Sequence, residues 1–210
     1  MVLGEQQPAQ TTPAVTERVV MATGIGGQGV QLASNVLAHA AMAEGREVLL
    51  FGSYGGMMRG GNTDATIVLA THAVDAPPVA PNAWAALVMH HEFLAPLAAK
   101  LTPDSVTFAN TSVVPEAALA DLPGTVVGIA ATDEAQRLGN ALAASLVLLG
   151  ALAGSTGLVG IDALTDAVAA VIPSYRAQHV AGNQAALRHG FALRTDAPAA
   201  WPASPAAVAR

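Results

Sequence analysis

The sequence predicts an α/β layered domain with a mostly parallel sheet and a helical C-terminal portion, and three observations carry that class. A short apolar run, Val19 to Ala22, ends in four glycines at Gly24, Gly26, Gly27 and Gly29. A stretch with helical period follows at once. Ala33, Val36, Leu37, Ala40 and Ala41 recur at three- and four-residue steps, while Asn35, His39 and Glu44 fall elsewhere. Beyond it, short strand-like runs alternate with helical ones to about residue 130, after which the chain reads as helix. Strand, glycine turn and helix in that order open a Rossmann-like unit.

The first strand, turn and helix occupy roughly 18 to 44. Gly45 stands where a helix C-terminal glycine belongs, and Arg46 to Phe51 reads as the second strand. A dinucleotide-binding unit places Asp or Glu at the end of that strand to hold the ribose hydroxyls of NAD. Here the chain continues Phe51-Gly52-Ser53-Tyr54-Gly55-Gly56, with no acid, so an NAD-dehydrogenase reading loses its second support. A second glycine-rich segment follows, Ser53 to Thr63, with four glycines and Arg59 between two strands. Such a loop approaches a ligand or a partner backbone closely. Further strands are expected over Asp64–Ala70, Ala85–His90, Ser105–Asn110 and Thr125–Ala130. Val74 to Pro81 is a proline-bearing connection, and a short helix bearing Pro96 spans His91–Leu101. Helices are expected at about 132–153, 161–171 and 174–190. Residues 1–17 read as a loose N-terminal arm, 18–194 as a single domain and 195–210 as a Pro/Ala-rich extended tail.

Composition narrows the function. Apolar residues make up 52% and charged residues 11% of 210 residues, less charge than a monomeric surface usually carries. Surface buried by partner subunits and an alanine-rich genome both account for it. A formal net charge of −6, with Lys100 the single lysine, argues against a nucleic-acid partner. Cysteine is absent, which excludes disulfides, thiolate catalysis and cysteine-ligated iron–sulfur clusters within the chain. No basic and apolar leader is evident near the N-terminus. The charge-free run Leu138–Ile161 is interrupted by Asn140 and by Gly154-Ser155-Thr156-Gly157, leaving a helix too short to cross a bilayer. The expectation is a cytoplasmic protein.

The turn Gly24-Ile-Gly-Gly-Gln-Gly29 satisfies G-x-G-x-x-G between a strand and a helix, and offers backbone N–H groups at the positive end of a helix dipole to an anion. It contains neither the Lys-Ser/Thr of a P-loop nor the serine of a nucleophile elbow. Arg59, flanked by Gly60 and Gly61, is the strongest polar candidate: a guanidinium there meets a phosphate, a carboxylate or another subunit's carbonyls, or is simply exposed. Tyr54 and Gln28 can hydrogen-bond a ligand, as loop residues also do without one. His90-His91-Glu92 invites a metal, yet adjacent strand residues face opposite ways and the spacing matches neither a zincin helix nor a facial triad, so polar residues at a strand end or interface are favoured. His39 and His72 are isolated. Asp162 and Asp166 read as a solvated helix face or N-terminal charge. No catalytic constellation emerges, which points to a component of a larger enzyme.

Three segments together carry a family resemblance. They are Gly24–Gly29 with its helix, Ser53-Tyr54-Gly55 running to Met58-Arg59-Gly60-Gly61, and a late portion. The late portion comprises Gly139-Asn140, Leu148-Leu149-Gly150-Ala151, Asn183–Leu187 and Gly190. Spanning about 18 to 191, the chain resembles the gamma subunit (or fused gamma domain) of the thiamine-diphosphate-dependent 2-oxoacid:acceptor oxidoreductases, whose best-known members are ferredoxin-linked. The resemblance implies alpha and beta subunits that bind thiamine diphosphate and a ferredoxin-like subunit carrying iron–sulfur clusters. Coenzyme A accepts the acyl group. It makes Gly24, Gly26, Gly27, Gln28, Gly29, Tyr54, Arg59, Gly60 and Gly61 candidate contacts for the phosphates of coenzyme A or for partner backbone. The second segment looks most like 2-oxoglutarate and branched-chain 2-oxoacid members, departing from them at Gly56-Met57 and Asp64-Ala65, and aryl 2-oxoacids stay open. Two other readings remain beside it: a free-standing nucleotide- or flavin-binding protein, and a purely structural assembly subunit.

Overall fold

The computed structural model describes residues 15–54, 60–74 and 80–201. Six strands form one sheet: β1 (Glu17–Ile25), β2 (Glu47–Tyr54), β3 (Asn62–Ala70), β4 (Ala83–Val88), β5 (Leu101–Asn110) and β6 (Thr125–Ile129). Their order is β2-β3-β1-β4-β5-β6. The pairs β1/β4, β4/β5 and β5/β6 are parallel, while β3 runs antiparallel to both its neighbours. Five strands therefore share one direction, and the mostly parallel sheet expected from sequence is what forms.

The order departs from a dinucleotide-binding unit in one respect. There the second strand lies beside the first; here β3 enters between them. The end of β2 is consequently two strand spacings, about 10 Å, from the end of β1. A ribose-holding acid at the end of β2 would be misplaced even if it were present.

Alternate residues of β1 feed two cores, as the pleat requires. Val20 and Ala22 face the layer built by α1 (Val30–Ala43), α4 (Ala144–Thr156), α5 (Ile161–Val171) and α6 (Val180–Ala192); Met21 faces α2 (Leu94–Ala98). Helix α4 is the hub of the thicker layer, and 11 of its 13 residues are buried. That explains a run without polar periodicity: a helix apolar all round is one surrounded by protein. Among the described residues no helix is long and apolar enough to cross a membrane.

The long helix expected at 132–153 is two, α3 (Ala131–Arg137) and α4, separated by a break. Gly139 takes φ 73°, its N–H donates to the Gln136 carbonyl at 2.9 Å, and the Asn140 N–H donates to Ala135 at 2.9 Å. These two bonds are the Schellman pattern that ends helices at a left-handed glycine. Gly45 closes α1 in the same way, through bonds to Met42 and Ala41. The helix expected at 174–190 begins as a 3-10 segment over Ser174–His179 before α6. Residues 195–201 lie against the body. The Ala200 N–H donates to Thr156 at 2.8 Å, Arg18 Nε donates to the Ala200 carbonyl at 2.6 Å, and the Trp201 indole N–H donates to Leu158 at 2.9 Å.

On the surface, Glu134 of α3 accepts from Arg137 and from His189 of α6. The Arg137 hydrogen bond first, and the His189 bond second, hold its carboxyl below the ordinary carboxylate value. A group depressed in the folded state contributes stability above its ordinary value and loses that contribution as acid protonates it. Solvent screening keeps the effect small. We expect Glu134→Gln to leave stability at neutral pH nearly unchanged and to flatten the acid limb slightly. Urea midpoints taken from neutrality down to about pH 3, below the glutamate range, check this.

Candidate functional site

The two glycine segments singled out by the sequence meet at one edge of the sheet. Because β3 is antiparallel to β1, its start lies beside the end of β1, with Gly24 opposite Thr63 and Ile25 opposite Asn62. The pairing continues past the strands: the Gly26 N–H donates to the Gly61 carbonyl at 2.9 Å. The end of β2 joins the same edge, with Tyr54 opposite Thr63. Gly24, Gly26, Gly27, Gln28, Gly29, Gly60 and Gly61 are thus gathered into one place. Arg59, with Gly55 to Met58, lies outside the described residues, as does the side chain of Tyr54.

Each glycine of the first turn has its own reason. The Gln28 N–H donates to the Ile25 carbonyl at 3.2 Å, closing a β-turn whose third residue, Gly27, has φ 99°. That is the position where a type II turn needs glycine. Gly29 caps α1 in the left-handed region, φ 79°, without any side-chain hydrogen bond. A Cβ on Gly29 would stand 2.5 Å from Ser145 Oγ, and one on Gly24 would stand 2.8 Å from Gln28 Oε1 and 3.0 Å from Met89 Cβ. These two glycines admit close packing. Gly26 and Gly27 instead face outward and are exposed. A Cβ at Gly27 would meet nothing within 4 Å, and one at Gly26 only ordinary contacts, the nearest being Gly60 N at 3.5 Å.

The first helical bond of α1 runs from the Ala33 N–H to the Gly29 carbonyl at 2.9 Å. The N–H groups of Val30, Gln31 and Leu32 precede it and have no carbonyl of their own helix to meet. With the helix dipole behind them they favour negative charge at the turn.

Gln28 spends its side chain inside the protein. Its Oε1 accepts the Ile25 N–H at 2.9 Å and its Nε2 donates to the Met89 carbonyl at 3.3 Å, latching the turn to the end of β4. A cluster the sequence did not signal lies beneath. The Thr23 hydroxyl donates to Asp64 Oδ1 at 2.6 Å, Asn62 Nδ2 donates to Asp64 Oδ2, and Gln31 Nε2 donates to the Asp64 carbonyl at 2.8 Å. Asp64 thereby ties β1, β3 and α1 together under the turn. Only register reveals it, since residues 23, 31 and 64 share no sequence motif.

The end of β4 corrects one expectation. The strand stops at Val88, so His90 and His91 follow it in a bend and do not alternate across a sheet. Their imidazoles stack with centroids 4.6 Å apart and planes at 17°, and His90 Nδ1 accepts the Glu92 N–H at 3.2 Å. Among the described residues no group of three or more His, Asp or Glu side chains is placed to hold a metal ion. Asp162 and Asp166 lie exposed on α5, and His39 and His72 are exposed and apart from the turn.

The edge just described is the carboxyl end of the parallel strands. The connection from β1 leads away toward β2 and that from β4 toward β5, so the β1/β4 boundary is where strand order reverses. Ligands of open α/β sheets bind outside such a boundary.

Comparison with known proteins agrees with this fold. Residues 19–193 match the family model described as pyruvate ferredoxin/flavodoxin oxidoreductase. The chain is similar to the 2-oxoglutarate synthase subunit KorC of Methanothermobacter thermautotrophicus, 32% identical over 157 residues that cover 71% of this chain and 82% of the relative. It is also similar to the gamma subunit of a keto/oxoacid ferredoxin oxidoreductase from Geobacter sulfurreducens. That match has a TM-score of 0.70 at 26% identity over 85% of this chain and 96% of the other. A fold likeness extends to the 2-oxoglutarate:ferredoxin oxidoreductase of Magnetococcus marinus, solved with 2-oxoglutarate, coenzyme A and succinyl-CoA bound. There the TM-score is 0.74 at 18% identity, covering 91% of this chain but 34% of that longer one.

Proposed function

Since the chain belongs to the pyruvate ferredoxin/flavodoxin oxidoreductase family as a gamma-type subunit, we propose that it presents its glycine turn to the coenzyme A that receives the acyl group. The reaction of the assembled enzyme is oxidative decarboxylation of a 2-oxoacid to acyl-CoA and CO2 in the cytoplasm. Alpha and beta subunits hold thiamine diphosphate, and a ferredoxin-like subunit carries two electrons away through iron–sulfur clusters. Without cysteine, this chain has no thiolates for such clusters. The observation that supports the coenzyme reading is the outward face of Gly26 and Gly27 beside the first N–H groups of α1, which suits a phosphate approaching backbone closely.

A second reading keeps a specific observation in its favour. Gln28 satisfies both ends of its amide internally and the Gly26 N–H is taken by Gly61, so the turn also reads as a self-contained docking corner for partner protein. A free-standing NAD-binding protein is disfavoured by the position of β2.

Gly26→Ala separates the first two readings. Its Cβ fits without strain, so the melting temperature should stay within about 2 °C, as for a benign surface change. In the assembled complex, assayed with 2-oxoglutarate and with a branched-chain 2-oxoacid, the KM for coenzyme A should rise roughly tenfold, equivalent to about 1.4 kcal/mol. An unchanged KM in a folded, assembled variant would favour the docking corner.

A further inference from the structure

Strand β2 ends the sheet on one side, and among the described residues no strand pairs with its outer backbone. Natural proteins blunt such an edge with a short strand, a bulge, a proline or a lysine, because free N–H and C=O groups recruit another strand. The opposite edge, β6, is only five residues long. Strand β2 carries none of these guards. Its eight residues pair with β3 in unbroken register from Glu47 to Tyr54, and they include neither lysine nor proline. From Glu47 to Ser53 every residue keeps some exposure, while Ile67 to Ala70 of the neighbouring β3 are buried.

The edge is apolar on both faces. Val48 and Leu50 pack toward the layer that holds α1. By the pleat, Leu49 and Phe51 point to the other face, where α2 packs on β1 and β4. Phe51 is 40% exposed. Glu47 is the one charge of the strand.

The strand is also complementary to itself. A two-fold axis that joins the same edge of two copies into one continuous sheet sets the strands antiparallel and keeps each face on its own side. Residues of one face then lie opposite residues of the same face, so a slip of one residue is excluded. Centred on Leu50, the pairing sets Leu50 against Leu50, Leu49 against Phe51, Val48 against Gly52 and Glu47 against Ser53 of the second copy. Aromatic–aliphatic pairs of this kind stabilise antiparallel ladders. The two Glu47 carboxylates stand about 20 Å apart along the ladder, well beyond the screening length of about 8 Å at physiological salt. A slip of two residues loses the match, setting Glu47 against Phe51 or Leu49 against Ser53.

We propose that a second copy of this chain docks on β2, joining two sheets across a two-fold axis at Leu50. The antiparallel joint sends the two glycine turns to opposite ends, so each stays open to its own catalytic subunits. The inference rests on the edge alone and stands apart from the coenzyme A reading of the glycine turn.

Sedimentation equilibrium of the full chain tests it, with a dimer expected at micromolar concentration. Phe51→Lys should raise the dimer dissociation constant at least about tenfold. Tyr175→Lys, at an exposed position between α5 and α6, should leave it unchanged. The cysteine-free sequence allows the register to be read directly. Glu47→Cys combined with Ser53→Cys in one chain should give a covalent dimer with a short bifunctional maleimide, and Ser53→Cys alone should not. Melting curves confirm that each variant is folded, and the cross-linking result stands without Phe51→Lys should that variant fold poorly. A monomeric wild type overturns the proposal. So does a dimer that survives Phe51→Lys, or one that fails to cross-link through residues 47 and 53. Protection of the β2 amides from hydrogen exchange only when catalytic subunits are added assigns the edge to a partner strand and overturns it too.

Discussion

Gly190→Ala should unfold or severely destabilise the domain, whereas Gly182→Ala, eight residues earlier in the same helix, should be neutral or stabilising. The difference lies in what a methyl group meets. At Gly190 it would be driven into the backbone of α4, against the carbonyl and Cα of Val147. On the facing helix, Gly150 abuts the Leu187 carbonyl and Phe191 N, and Gly154 abuts the Phe191 carbonyl. Gly150 and Gly154 are four residues apart and share one face of α4. The two helices therefore cross with backbone on backbone, and no side chain can rotate away. Ordinary overpacking costs about 1–3 kcal/mol because neighbouring side chains give; here a helix central to the core must shift, and we expect at least about 3 kcal/mol. For a domain of this size that lowers the melting point by roughly 10 °C. At Gly182 the added Cβ would meet only Asn140 Nδ2, at 3.4 Å. Helix propensity there gains about 1 kcal/mol from Gly to Ala. Thermal denaturation of both variants checks the contrast, and equal melting points would contradict the crossing.

These glycines also show what the sequence could and could not convey. Gly150 and Gly190 were marked by resemblance, but their physical role needs the facing helix and does not follow from spacing. Gly45 was legible because a strand pattern starts directly after it, so the helix had to end. Gly139 makes the same two Schellman bonds, yet apolar residues resume beyond it and the two helices read as one. The turn from Gly24 to Gly29 was legible because strand, glycines and helix are local in the chain. The insertion of β3 between β1 and β2 was not, since strand order is decided by pairing across the sheet. Gln28 illustrates the same limit at the site. Its type suggested a ligand contact, and only the fold shows its amide closing the turn onto Met89. The Asp64 network was invisible for the same reason.

The other large effect concerns the lone polypeptide. Purified alone, with thiamine diphosphate, coenzyme A, a 2-oxoacid and ferredoxin supplied, it should turn over at background. The buried polar side chains among the described residues are serine, threonine and asparagine, and none is ionisable. Acid–base catalysis draws on carboxylates, imidazoles or amines whose surroundings tune them. The carboxylate whose titration is displaced here, Glu134, is a surface partner of Arg137, and its setting serves packing of α3 on α6. Electron transfer meets the same obstacle, because thiolates are the usual cluster ligands and the sequence has no cysteine. Enzymes typically gain at least about a millionfold over the uncatalysed reaction, so the assembled complex should exceed this subunit alone by no less than roughly a thousandfold. Adding back partner subunits should restore acyl-CoA formation in proportion to complex assembled. The measurement is acyl-CoA produced per mole of chain, alone and reconstituted. Substantial turnover by the purified chain would remove the division of labour on which the coenzyme reading depends.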